Sequence, residues 1–442
     1  MYLGKRNHTT KQKIGIFRYT RLYLNKPIVI SKRGKKISNI DLESIKAAQK
    51  VLIQAGIRKS ELIKSNTFSN LCGNNIYLKL ECLQKTGSFK VRGAMVKINN
   101  LSHDLKKNGV IAASAGNHAQ GVAYAALKSN IPCTIVMPKN ASPAKISATK
   151  SYGAKVILYG NDYDESSNHI KEISEKENKT IIPAFEDPFV ISGQGTIGLE
   201  LIEDLKNIDE IYIPVGGGGL IAGISLVLKS LRPHIKIIGV QSAAVPVMKK
   251  SIQENKITKI RTGYTIADGI SVKTPGELTF KTAKKYVDEI VLIDDLSIVK
   301  TMFLLMERSK IVAEPAGAAS LAYILKDESR FSRGKNIVSI ISGGNVDMYL
   351  LGQVVAKGLM QSGRLLKVFV ELPDKSGALK NIVDEIAKAH INIVEVIHDR
   401  LSSNIPPGTA GVYLSLEFEN KNQSNLLIEL FKDKKINFKI IE

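Results

Sequence analysis

The chain alternates short apolar runs with stretches of helical periodicity. Apolar residues first recur at helical spacing behind the acidic start at Asp41 and predict a helix there; they are Ile45, Ala48, Val51 and Leu52. Apolar runs of strand length follow, most with a glycine-bearing turn and an amphipathic segment behind them, at residues 76–80, 110–113, 133–137, 156–158, 210–215, 235–240 and 336–341. Strands alternating with helices at this spacing predict βαβ units. We therefore expect an α/β fold with parallel sheets in two lobes and a ligand cleft between them.

The pattern changes after Gly358. It becomes strand, helix, strand, strand, helix, strand, at residues 366–372, 378–389, 391–399, 411–418, from 424, and through 438. This βαββαβ order predicts a ferredoxin-like domain. We therefore expect a basic, disordered N-terminal extension at residues 1–38, a two-lobed domain at 39–358 with its small lobe at about 109–186, and a C-terminal domain at 366–442.

The formal net charge of +22 is concentrated near the N terminus. Residues 1–40 contain eleven of the 63 lysines and arginines and none of the 41 acidic residues. That segment lacks the apolar core of a secretory signal, which leaves an organelle transit peptide or a solvated tail as interpretations. The three cysteines have no metal-ligand spacing, and no run approaches the roughly 18 apolar residues of a membrane helix. We expect a cytoplasmic protein that binds neither nucleic acid nor membrane.

Four consecutive glycines, Gly216 to Gly219, lie between a predicted strand and a predicted helix. Without Cβ atoms, successive N–H groups of such a loop can close around a phosphate at the positive end of the helix. The alternative is a tight or flexible turn, which normally needs only one or two glycines. The loop has neither the lysine of a Walker P-loop nor the spaced glycines of a dinucleotide fingerprint. It therefore favours a phosphate-bearing cofactor other than a nucleotide.

Lys90 begins a predicted helix of apolar and small residues, within Gly-Ser-Phe-Lys-Val-Arg-Gly-Ala from Gly87 to Ala94. Desolvation and a helix N terminus both disfavour an ammonium ion, so a lysine in this setting suits the role of an amine nucleophile. A surface lysine is the alternative, and this position alone does not exclude it.

Four motifs occur in a fixed order: Lys90 in its setting, Ser114-Ala115-Gly116-Asn117-His118, Gly216 to Gly219, and Ser342-Gly343-Gly344-Asn345. In order and spacing they resemble the tryptophan-synthase-β-like, fold type II pyridoxal-phosphate (PLP) enzymes, and among these the bacterial threonine dehydratases, or threonine ammonia-lyases. The resemblance covers roughly residues 40–440. It implies elimination of water and ammonia from L-threonine, with L-serine as a second substrate, in isoleucine biosynthesis or threonine catabolism.

The resemblance implies a role for each motif. Lys90 is expected to hold the cofactor as a Schiff base and to remove the substrate Cα proton, and Ser342 to hydrogen-bond the pyridine nitrogen. The other expected cofactor contacts are Phe89, Asn117, Gly216, Gly217, Gly218, Gly219, Leu220 and Glu314. The substrate is expected at Ser114, Ala115, Asn117 and His118. A core histidine satisfied by backbone is the alternative for His118.

Three alternatives to this function follow from the same residues. Serine racemases, which the chain also resembles, have a second serine as base where this chain has Ala115, so we expect dehydration rather than racemisation; a serine dehydratase remains an alternative. A nucleic-acid-binding protein or an amino-acid sensor without catalysis is the third, and it explains neither Lys90 nor the glycines.

The racemases bind a divalent cation through acids at the positions of Gln241 and Val247. We expect no such metal site here, with a carbonyl-bound monovalent ion left open.

The tail from Leu366 resembles an ACT domain, a module that senses amino acids. The resemblance places an effector carboxylate at the first strand-to-helix loop, with Gly377 and Asn392 as candidate contacts; an ordinary turn is the alternative. We expect a branched-chain amino acid such as isoleucine or valine. Because an effector acts through a difference in affinity between two states of an assembly, we also expect a homodimer or homotetramer.

Overall fold

The structure, a computed structural model, describes residues 40–260, 263–326, 334–403 and 405–441. The extension predicted at residues 1–38 lies outside them. The helices are α1 Leu42–Gln54, α2 Asn66–Cys72, α3 Lys90–Asn99, α4 His103–Asn108, α5 Asn117–Lys128, α6 Pro143–Ser151, α7 Tyr163–Glu177, α8 Pro188–Asp204, α9 Gly219–Leu231, α10 Val247–Gln253, α11 Glu277–Tyr286, α12 Asp295–Leu304, α13 Pro315–Lys326, α14 Met348–Gln361, α15 Ala378–Lys388 and α16 Lys421–Asp433. The strands are β1 Leu62–Lys64, β2 Asn75–Leu80, β3 Val110–Ala113, β4 Cys133–Met137, β5 Lys155–Leu158, β6 Thr180–Ile181, β7 Glu210–Pro214, β8 Lys236–Ser242, β9 Glu289–Ile293, β10 Asn336–Ile341, β11 Leu365–Pro373, β12 Asn392–Asp399, β13 Thr409–Glu417 and β14 Asn437–Ile440.

Six strands form the sheet of the large lobe, in the order β1-β2-β10-β7-β8-β9. Neighbouring strands are parallel except β1, which runs antiparallel to β2 at the edge. Apolar clusters cover both faces of the sheet. Central strands such as β7 are therefore buried along their whole length and do not alternate between polar and apolar residues.

The small lobe has a parallel four-stranded sheet in the order β5-β4-β3-β6. The predicted two-lobed α/β fold is thus confirmed. Strands β1, β6 and β9 were not predicted. β1 and β6 have three and two residues, too few to show any periodicity.

The C-terminal domain has an antiparallel sheet in the order β12-β13-β11-β14, with α15 and α16 packed on one face. This connectivity confirms the predicted ferredoxin-like arrangement. No helix among the described residues is long and apolar enough to cross a bilayer.

A buried ion network holds α3 between the two neighbouring elements β2 and α8. The Arg92 guanidinium on α3 donates to Glu81, just after β2, at 2.7 and 2.9 Å, and to Glu200 on α8 at 2.6 Å. Lys79 Nζ lies 2.7 Å from the Glu200 carboxylate. Burial acts to raise the pKa of Glu81, but the Arg92 guanidinium holds that pKa below its usual value. The two cations and two anions neutralise one another in the protein interior. Their contacts fix the position of the helix that begins at Lys90.

We predict that Arg92→Met lowers the free energy of unfolding by about 3–5 kcal/mol, because it removes the cation that both buried carboxylates share and leaves Glu81 without its ion pair. Denaturant unfolding measures the loss. Arg58, which pairs with Glu61 at the surface, provides the control: Arg58→Met should cost at most about 1 kcal/mol. Equal losses in the two variants would contradict this interpretation of the network.

Candidate active site

A cavity of about 610 Å³ lies between the lobes. Every residue predicted to bind cofactor or substrate lines it: Phe89, Lys90, Ser114, Ala115, Asn117, His118, Gly216, Gly217, Gly218, Gly219, Leu220, Glu314 and Ser342. The carboxyl ends of parallel strands and the N termini of the following helices meet at this position, as in other open α/β sheets.

Lys90 reaches the cavity through a strained turn. Thr86 and Gly87 have φ angles of +66° and +71°, and a Cβ on Gly87 would lie 2.5 Å from the Asn345 Oδ1 atom. The Lys90 Nζ donates to the Ala184 carbonyl at 3.0 Å. Burial lowers the pKa of Lys90 to about 8, and the Glu314 carboxylate opposes part of that shift. The side chain therefore supplies an amine that is partly neutral near physiological pH.

The glycine loop offers buried donors without acceptors. Among the described residues, no protein group accepts a hydrogen bond from the N–H groups of Gly216, Gly217 or Gly218. No side chain caps the N terminus of α9, which begins directly behind them. Since buried N–H groups are normally paired, and a helix N terminus favours negative charge, this loop fits an anion such as the phosphate of PLP.

The glycines are also required by packing, which the sequence did not indicate. A Cβ on Gly217 would lie 2.3 Å from the ring of Phe185, and Gly218 has a φ of +94°. A Cβ on Gly217 would therefore point at Phe185.

A second uncapped helix N terminus, that of α5, faces the same cavity. Its N-cap is Gly116, which has no side chain to cap the helix. The Gly116 N–H donates to Ser114 Oγ at 3.1 Å. The N–H groups of the first turn have no partner within the helix. They suit a carboxylate, as predicted for this turn.

The structure supports the alternative interpretation of His118 as a core histidine whose ring is hydrogen-bonded to backbone. Its Nε2 lies 2.8 Å from the Ile182 carbonyl oxygen, and because that oxygen only accepts, Nε2 carries the proton. Burial lowers the pKa of His118 to about 3, with Lys90 adding to the shift. A neutral, occupied ring gives a carboxylate no charge, so only the backbone of His118 is left for the predicted contact.

Glu314 is held by a chain of amides. Asn117 Nδ2 donates to Glu314 Oε1 at 2.6 Å, and Asn345 Nδ2 contacts both Asn117 Oδ1 and the Thr86 carbonyl, the latter at 2.8 Å. Burial raises the pKa of Glu314 to about 7, and Asp268 adds to the shift while the hydrogen bond from Asn117 opposes it. The resemblance implies no role for Asn345 of the fourth motif, and its position shows that it ties the Lys90 turn to Asn117.

Two ion pairs that the sequence did not indicate join the lobes at the cavity. Lys145 of α6 lies 3.0 Å from Asp268, and Lys273 lies 2.9 Å from Asp164 of α7. Each pair joins residues more than a hundred positions apart. No local pattern could have identified them.

The Gln241 side chain is buried, and its Oε1 accepts from the N–H of Lys249 at 3.1 Å. Within the described ranges, no three His, Cys, Asp or Glu side chains come together as metal ligands. The expectation that the chain lacks a divalent site at this position stays a prediction.

A separate pocket of about 440 Å³ lies at the first strand-to-helix loop of the C-terminal domain. Gly377 lines it as the N-cap of α15, with a φ of +86° and no side-chain cap. Asn392 does not line it, and its Nδ2 donates to Glu417 at 3.0 Å. Helix α15, about 16 Å long, separates the two residues, and the expectation that both contact an effector stays a prediction.

The family model described as pyridoxal-phosphate dependent enzyme matches residues 53–343. The chain is 46% identical to the L-threonine ammonia-lyase of Thermotoga maritima over 380 residues, which cover 86% of this chain and 94% of the relative. Among solved structures, the processed form of threonine deaminase isoform 2 from Solanum lycopersicum is similar, with a TM-score of 0.68 and 37% identity, covering 73% of this chain and 95% of that one. Maize serine racemase is similar with a TM-score of 0.68 and 35% identity, covering 73% and 98%.

We predict that Glu314→Gln changes how stability depends on pH in protein prepared without cofactor. The pKa of Glu314 is raised from 4.5 to about 7 by folding, so the stability associated with its proton is fully present below the lower value and is lost as pH rises through the higher one. Relative to wild type, the unfolding free energy of Glu314→Gln should therefore increase from about pH 5 to about pH 8. Denaturant unfolding at both pH values measures this. A change no larger than that of Glu429→Gln, exposed on α16, would contradict the assignment.

Proposed function

The chain belongs to the pyridoxal-phosphate-dependent enzymes, and we propose that it is an L-threonine ammonia-lyase that forms 2-oxobutanoate and ammonia, with L-serine as a second substrate. The observation that carries the proposal is that the half-buried Lys90 amine, with its pKa lowered to about 8, faces the same cavity as the N–H groups of Gly216 to Gly218, which have no acceptor among the described residues. An amine nucleophile beside a phosphate site is what PLP chemistry needs. The threonine activity in the names of the relatives supports the choice of substrate.

The residues that would hold the cofactor surround the cavity. Lys90 would bind it covalently, and the N–H groups of the glycine loop and the N terminus of α9, at Leu220, would hold its phosphate. Ser342 would donate to or accept from the pyridine nitrogen. The remaining contacts would be Phe89 against the ring, Asn117 at the phenolic oxygen, and Glu314 beside the ring.

When bound, PLP supplies an electron sink for negative charge at the substrate Cα. The Lys90 amine takes the Cα proton, and its pKa of about 8 lies close to the working pH, which suits a general base. Ser342 is a neutral hydroxyl and does not hold the pyridine nitrogen protonated as a carboxylate would. This favours prompt loss of the β-hydroxyl over persistent charge at Cα. The released 2-aminocrotonate tautomerises, and water hydrolyses it to 2-oxobutanoate and ammonia.

The substrate carboxylate would bind at the N terminus of α5, through Ser114 and the backbone N–H groups of Asn117 and His118. Ala115, in the same turn, has no group that exchanges a proton. A second base on the opposite face of the substrate is therefore missing at this position, which favours dehydration over racemisation.

We also propose that the pocket at Gly377 binds an amino-acid effector with an aliphatic, branched side chain. The uncapped N terminus of α15 suits a carboxylate, and Asp374, paired with Arg400 at 3.1 Å, suits an ammonium group. Leu372, Leu379 and Val383 supply an apolar wall. Regulation through this pocket requires two states with different affinity, and we propose a homodimer or homotetramer as the assembly that has them. The buried, unbridged cysteines Cys82 and Cys133 support a cytoplasmic location.

We predict that Lys90→Ala removes the visible absorption of the bound cofactor and lowers 2-oxobutanoate formation from threonine by a factor of about 10² to 10⁴, because the general base is lost. Lys128→Ala, at the exposed C-terminal end of α5, is the control and should retain both signals. Wild-type protein without visible absorption after incubation with PLP would refute the proposed function. Retention of most of the activity in Lys90→Ala would refute the role of Lys90.

We predict that Gly377→Val abolishes the response of activity to isoleucine and valine, because a side chain at φ +86° strains the loop and covers the first N–H groups of α15. Gly334→Val is the matched control. Gly334 also has a positive φ, of +87°, and open space around it, but lies in the catalytic part of the chain. If Gly377→Val responds to both amino acids as wild type does, the effector site lies elsewhere.

A further inference from the structure

One peptide of the glycine loop is oriented from outside the loop. Thr279, buried on α11, places its Oγ1 2.7 Å from the Gly217 carbonyl oxygen and 3.2 Å from that of Gly276. A hydroxyl has one proton to donate, and the shorter contact assigns it to Gly217. The N-terminal turn of another helix thus holds the carbonyl between Gly217 and Gly218.

The hydrogen bond that fixes the Gly217 carbonyl also fixes the direction of the Gly218 N–H group. In a planar trans peptide the C=O and the following N–H point in opposite directions. The hydrogen bond from Thr279 therefore turns the Gly218 N–H away from α11. Among the described residues this N–H has no acceptor, and Gly218 lines the cavity.

Phe185 and Glu186 contact the loop and α11. The ring of Phe185 packs where a Cβ of Gly217 would lie. The next residue, Glu186, accepts from the N–H of Leu278 at 2.7 Å and from that of Thr279 at 3.4 Å. Since the N-cap of α11 at Gly276 makes no side-chain cap of its own, Glu186 caps this helix and anchors Thr279.

We propose that Thr279 is a positioning residue that sets the affinity of the glycine loop for the phosphate group of the cofactor. The inference rests on the assignment of this loop as the phosphate site. An uncommitted peptide could turn either its carbonyl or its N–H toward the anion, and a carbonyl there repels negative charge. The hydrogen bond from the Thr279 hydroxyl holds the carbonyl away from the anion position in the absence of the ligand.

The test compares PLP with pyridoxal, which lacks the phosphate, as ligands of the full-length protein freed of cofactor. Thr279→Val keeps the shape of the side chain and removes the donor. It should weaken PLP binding by roughly tenfold, the worth of one hydrogen bond of above-average strength, and leave pyridoxal binding unchanged. Thr279→Ser keeps the donor and should bind PLP within about twofold of wild type. If the valine variant does not fold, Thr279→Ala gives the same comparison.

Thr282 provides the matched control. It is a buried threonine one turn along α11, and its hydroxyl donates within its own helix to Leu278 at 2.8 Å. Thr282→Val should leave the ratio of the two dissociation constants as in wild type. A preference for PLP over pyridoxal that survives undiminished in Thr279→Val overturns the role of Thr279 and leaves the phosphate site standing. A wild-type protein that binds both ligands equally overturns the phosphate site and the role of Thr279 with it.

Discussion

The burial of Lys90 is the constraint on which the rest of the active site depends. Burial lowers its pKa to about 8, which makes the amine useful, but a helix that carries a desolvated cation near its start needs anchorage elsewhere. Arg92 supplies it. Two residues, or about 200° around the helix, separate Lys90 from Arg92, so α3 turns the amine to the cavity and the guanidinium to Glu81 and Glu200 in the interior.

The proposed anion sites follow from a second constraint, that backbone N–H groups must be exposed to a ligand without side chains in the way. The glycines meet this need for different reasons. Gly217 leaves room for Phe185, Gly218 takes a left-handed φ that other residues rarely adopt, and Gly116 leaves the start of α5 uncapped. The loops that we propose as phosphate and carboxylate sites thus present backbone to the cavity, and Thr279, outside the glycine loop, holds the carbonyl of Gly217 in place.

Local sequence was sufficient for the elements with strong periodicity and for the motifs that line the cavity. It predicted the strands of both lobes except β1, β6 and β9, the ferredoxin-like order, and the position of Lys90 at the start of a helix. It could not predict contacts that join distant parts of the chain. Asn117 meets Glu314 across 197 positions and Asn345 across 228, and nothing near Asn117 indicates either partner. His118 shows the converse, because its sequence setting fits both a ligand-binding ring and a core ring, and only the Ile182 carbonyl decides between them.

Helix α14 contacts the small lobe at its N terminus and leads into the C-terminal domain at its C terminus. Its N-cap, Asp347, accepts from the N–H of Tyr349 with one oxygen and from the hydroxyl of Ser142, at the start of α6 in the small lobe, with the other. Its C-terminal end packs tightly on α12, since a Cβ on Gly358 would lie 2.2 Å from Phe303, and β11 of the C-terminal domain begins four residues beyond it. A shift of the small lobe that broke the Ser142 contact would leave the cap of α14 intact and free one carboxylate oxygen to water. Asp347 is therefore a point at which a movement of the small lobe would reach the helix that leads to the C-terminal domain.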